Sequence, residues 1–128
     1  MTELTTDDLN PIVSRVDGKL RDARAEIALA AAKIEKRGPK SAVAKLQMAE
    51  SFLMAANQQL DYIRLMPTRK DLENADGQLY NARNSIVKLV QYIERGPCSR
   101  SEMLSQANEV WGYISTARES VKGMLHDD

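Results

Sequence analysis

Four stretches of the chain carry apolar residues at alternating steps of three and four, the spacing that turns one stripe of a helix toward a neighbour. The first stripe is Leu9, Val13, Val16, Leu20, Ala23, Ile27, Ala30 and Ile34, and the second is Leu46, Ala49, Leu53, Ala56, Leu60 and Ile63. The third runs Leu72, Ala75, Leu79, Ala82, Ile86, Leu89 and Ile93. The fourth is Met103, Ala107, Val110, Ile114, Ala117, Val121 and Met124, broadened by Leu104, Trp111 and Leu125. Strand-like alternation is absent from the pattern, and β-branched residues are too few for a sheet. Such a chain folds as helices or not at all.

The breaks between stripes carry helix-end punctuation. Gly38-Pro39 and Gly96-Pro97 each place a residue that tolerates left-handed geometry before one that cannot continue a helix. Pro67 separates the middle pair, where Thr68 and Asp71 have the spacing of a capping box. Ser41, and Ser99 or Ser101, are natural N-caps for the second and fourth helices. The first helix starts either at a cap on Thr5 or Thr6, or at Asn10 with Pro11 in the first turn. These signals predict helices over about 7–37, 41–66, 68–95 and 100–125. Helices of roughly 40 Å joined by short connections lie antiparallel to their neighbours. The expected fold is therefore all-α, an antiparallel up-down-up-down four-helix bundle. Alanine recurs at one stripe position (Ala23, Ala30, Ala49, Ala56, Ala75, Ala82) against Leu or Ile at the other, so backbones can approach closely.

The chain also repeats itself. Overlaying residues 17–35 on 76–94 aligns Asp17, Gly18, Leu20, Ala23, Arg24, Ile27, Ile34 and Glu35 with identical residues. One residue later in register, Arg37-Gly38-Pro39-Lys40-Ser41 matches Arg95-Gly96-Pro97-Cys98-Ser99. Periodicity alone reproduces the apolar identities but not Asp-Gly, the arginine or the turn. The reading is a duplicated helical hairpin within a single domain, 1–128, with one repeat at about 7–66 and the other at about 68–125. The second and fourth helices match at few places beyond Leu46/Leu104 and Ala49/Ala107.

Composition narrows the function. The 128 residues hold 18 Lys and Arg against 18 Asp and Glu, which gives no basic excess for non-specific nucleic-acid binding. One His and one Cys cannot supply a disulfide framework, a tetrahedral zinc site or the paired Glu-x-x-His ligands of a di-iron bundle. No cofactor and no enzymatic activity are expected. Residues 1–10 have three acids and no basic segment of the signal-peptide kind, and no long apolar run is present, so the expected location is the cytoplasm.

Three places remain that can bind something. The first is apolar surface beyond the core stripes: Met48, Phe52 and Tyr62 on the second helix, Tyr80, Val87 and Val90 on the third, Trp111 and Tyr113 on the fourth. Phe52 and Trp111 can also serve to widen the core. Extra rows at helical spacing suit a partner protein or a homodimer seam, and the leading expectation is a non-enzymatic interaction module, an adaptor, inhibitor or assembly factor that self-associates. The alternative is a nucleotide or other phosphate-bearing anion held at the turn end by Lys36, Arg37, Lys40, Ser41, Arg95, Ser99 and Arg100. The third is RNA along the first and third helices through Arg15, Lys19, Arg21 and Arg83. Two features complete the list: the repeated Asp17/Arg24 and Asp76/Arg83, expected to form ion pairs across helices, and the mid-helix Gly18 and Gly77, expected to mark a bend or a close approach.

Overall fold

The computed structural model describes residues 6–36, 39–61, 70–96 and 99–123. These residues form four α-helices and one 3-10 turn, with no strand among them: α1 is Thr6–Lys36, α2 Val43–Asp61, α3 Lys70–Arg95 and α4 Arg100–Gly123. The 3-10 turn, Pro39–Ala42, precedes α2. Each helix contributes its apolar stripe to one shared core, in which Leu20, Ile27, Leu46, Leu53, Leu79, Ile86, Leu89 and Ile114 are almost fully buried. The alanines of the stripes are buried as well, which places small residues opposite large ones within the core.

Helix ends follow local chemistry. Ser99 caps α4, its Oγ accepting the Glu102 N–H at 3.1 Å. Gly96 ends α3 in the left-handed region, φ 33°, with its N–H on the Tyr92 carbonyl at 3.0 Å. The corresponding Gly38, with Arg37, lies outside the described residues, as do the caps sought at Thr5 and Thr68. α1 begins ahead of Pro11, which sits inside the helix, so the start at Asn10 is corrected. The start of α2 is corrected too: Ser41 falls inside the tighter 3-10 turn and the α-helix begins at Val43. Proline at the head of that turn restricts the backbone to a tight first winding before regular bonds begin.

Helix neighbours are unequal. α1 packs extensively on α2 and on α4, and α3 packs extensively on α4, whereas α2 and α3 meet much more sparsely. Among the described residues, no helix is long and apolar enough to cross a membrane.

Candidate functional site: the α2/α3 seam

The two flanks of a helix stripe decide what it shows to each neighbour. On α1, the row Asp17, Arg24, Ala31 turns toward α4. The Arg118 guanidinium donates to both oxygens of Asp17, Nε to Oδ1 at 2.9 Å and NH2 to Oδ2 at 3.4 Å. Arg24 donates to the Ser115 hydroxyl at 3.3 Å and lies over the Trp111 ring, 4.9 Å from its centroid. This seam is closed by one pair of charges and one stacked pair. The opposite row of α1 faces α2: Lys19 sits 5.6 Å from the Phe52 centroid, and Glu26 lies 3.5 Å from the Lys45 ammonium.

On α3 the overlay of residues 17–35 on 76–94 puts Asp76, Arg83 and Val90 where α1 has Asp17, Arg24 and Ala31. They turn toward α2, and there the seam is open. A groove of about 410 Å³ runs between the helices, lined by Asn57 from α2 and by Asp76, Gly77, Leu79, Tyr80 and Arg83 from α3. The Nε of Arg83 is buried without a hydrogen-bond partner. Its α1 counterpart has a hydroxyl and an indole face. Tyr80 is 68% exposed, and Val87 and Met54 follow on the same two flanks at 45% and 43%.

The apolar residues singled out by sequence do not form one face. Met48 and Phe52 lie on the α1 side of α2, Met48 exposed and Phe52 half-buried against the core. Tyr80, Val87 and Val90 lie on the other side of the core, in the α2/α3 seam, with Val90 partly covered. Trp111 belongs to the α1/α4 seam, and Tyr113 packs partly buried against the core. Tyr62 lies outside the described residues. Met54 makes no stripe of its own in the sequence, and its step of four from Glu50 and three to Asn57 is the signal that sets it on their flank.

At the turn end Lys36, Lys40, Arg95 and Arg100 are exposed, and Arg37 and Cys98 lie outside the described residues. Ser99 is engaged in capping, and Ser41 also has a partner within the chain. Of the four cations considered for RNA, Arg15 and Arg21 are exposed, while Lys19 covers Phe52 and Arg83 lies in the seam. Asp17 makes the cross-helix ion pair expected of it, whereas Arg24 stacks on an indole rather than meeting an acid. A Cβ at Gly18 or Gly77 would meet nothing within 4 Å, so neither marks a close approach within the chain.

Compared with known protein families, curated proteins and solved structures, the chain matches none.

Proposed function

We propose that the chain is a non-enzymatic protein-interaction module: a single-domain, antiparallel up-down-up-down helical bundle that offers the apolar surface of its α2/α3 seam to a partner. The observation that carries this reading is the exposure of Tyr80, Val87 and Met54 beside an open groove. Large apolar side chains are ordinarily covered by a neighbour when they flank a core stripe, and contiguous exposed ones accompany interaction surfaces. Antiparallel packing is supported by the contacts themselves. Asp17 meets Arg118 while Arg24 meets Ser115, so rising numbers on α1 meet falling numbers on α4. The same holds for Lys19 with Phe52 and Glu26 with Lys45 across α1 and α2.

Duplication of the hairpin is supported most strongly by α1 and α3, whose buried apolar residues pair at one offset from Val13/Leu72 to Ile34/Ile93. Support is weaker for α2 and α4. In the register of the turn match, buried Leu53 falls on half-exposed Trp111.

Self-association has an observation of its own. Leu29 and Met48, 47% and 43% exposed, stand with exposed Ala25 and Ala32 on the outer side of α1 and α2. Light scattering after size exclusion tests both surfaces. A partner or oligomer that survives both Tyr80→Glu and Met48→Glu would sink the reading. The basic turn end carries no second reading, since Glu35, Glu94 and Glu102 stand among its cations.

A further inference from the structure

The α2-facing flank of α3 carries Asp76, Tyr80, Arg83, Val87 and Val90 at steps of four and three. At 1.5 Å per residue this row is about 21 Å long, four turns of a helix. Opposite it, α2 presents Glu50, Met54, Asn57 and Asp61 at the same kind of spacing. The α3 wall, with Tyr80, Val87 and Val90, and the α2 wall, with Met54, make a bed for a third helix, read through contacts at i, i+4 and i+7.

Charge says what kind of helix. Among the described residues of these two flanks, Arg83 is the one cation. Asp61 and Asp76 have partners within the chain. Glu50, half-buried on α2, and exposed Glu94, the next step along the α3 row, add negative charge to the rims. A second copy of the chain docked face to face through this seam would bring the same acids again, with Arg83 as the one further cation among the described residues of its flanks, an unfavourable charge balance. Arg83 lines the groove, whereas Arg24 in the equivalent place of the other seam has Ser115 and Trp111 from α4.

We infer that the α2/α3 seam takes an amphipathic helix of a partner protein: its apolar row, with an aromatic residue, lies over Met54, Tyr80 and Val87, and Lys or Arg beside that row meets Glu50 and Glu94. A side-chain oxygen on the same helix accepts from Arg83, as Ser115 does from Arg24. This rests on the interaction reading above and names the partner's chemistry.

The test uses two labelled synthetic helices of about four turns, identical in a Leu/Phe row but flanked by Lys in one and Glu in the other. Fluorescence anisotropy measures binding to the full chain, and amide and methyl NMR shifts locate it. The Lys helix is expected to bind more tightly, to weaken with salt, and to shift Met54, Tyr80 and Val87. Tyr80→Ala with Val87→Ala weakens it by about tenfold or more, and Glu50→Lys narrows the preference between the two helices. Tyr80 and Val87 are exposed and Glu50 half-buried, and unchanged circular-dichroism melts check that the variants remain folded. No binding up to about 1 mM, equal affinity for both helices, or shifts centred elsewhere overturns the inference. If it is overturned while light scattering still shows association that Met48→Glu abolishes, the interaction reading stands and only this seam is lost from it.

Discussion

Two seams of one molecule start from nearly the same row of residues and end differently. On α1, Asp17 and Arg24 are answered by α4 with Arg118, Ser115 and Trp111. On α3, Asp76 and Arg83 face α2, where the turn register sets Leu53, Asn57 and Leu60 in the places of Trp111, Ser115 and Arg118. The first seam closes; the second leaves a groove and an arginine nitrogen without an acceptor. A repeated helix therefore does not determine its own packing. The complementary side chains on the neighbour decide whether its flank becomes core or surface.

The largest test of this contrast is the ion pair that closes the first seam. Asp17→Ala strands the Arg118 side chain, only 14% exposed, and should cost about 2 kcal/mol by chemical denaturation, because a partly buried charge loses its partner. The Asp17→Ala/Arg118→Ala double variant should recover part of that loss, since it leaves no stranded charge. A cost below about 0.5 kcal/mol, the level of an exposed pair, would mean that the seam is held by apolar packing alone.

Next in size are two exposed aromatics, one on each seam. Trp111→Ala removes the face under Arg24 and should destabilise by about 1–2 kcal/mol, combining lost burial with a lost cation–π contact. Tyr80→Ala, on the open seam, should stay within about 0.5 kcal/mol of the parent. Equal costs in thermal or urea melts would erase the distinction between a structural and a vacant aromatic. A matching comparison at the arginines sharpens it: Arg24→Ala should cost about 1 kcal/mol, whereas Arg83→Ala removes an unsatisfied donor and should cost less.

Much of this architecture was readable in the residues, and the limits have a physical cause. A stripe at steps of three and four names the buried face of a helix with little ambiguity, so Val13 to Ile34 on α1 and Leu72 to Ile93 on α3 are buried as expected. Gly96 and the Ser99 cap were legible because their chemistry is local. The two flanks of a stripe are different. Which neighbour each flank meets is a tertiary fact, so spacing does not separate Phe52, on the α1 side of α2, from Tyr80, on the α2 side of α3. The 3-10 turn was hidden for a similar reason. Ser41 carries a capping residue type, but the proline two positions earlier shifts the start of regular helix to Val43.

The smallest effect separates the seams most cleanly, because it leaves the side-chain contacts alone. Gly18 and Gly77 occupy matching places on α1 and α3, both inside helices and both with open space where a Cβ would go. Alanine loses less backbone freedom than glycine when it enters a helix, so Gly18→Ala and Gly77→Ala should each stabilise the fold by about 0.5–1 kcal/mol. Folding alone gives no reason for the two to differ. Gly77, however, lines the groove and Gly18 does not. A helix lying in that groove would meet the added methyl at Gly77, so Gly77→Ala should weaken capture of the Lys-flanked helix while Gly18→Ala leaves it unchanged. Equal stabilisation with unequal binding would assign the glycine on α3 to the partner rather than to the fold; equal binding by both would return it to the shared ancestry of the two helices.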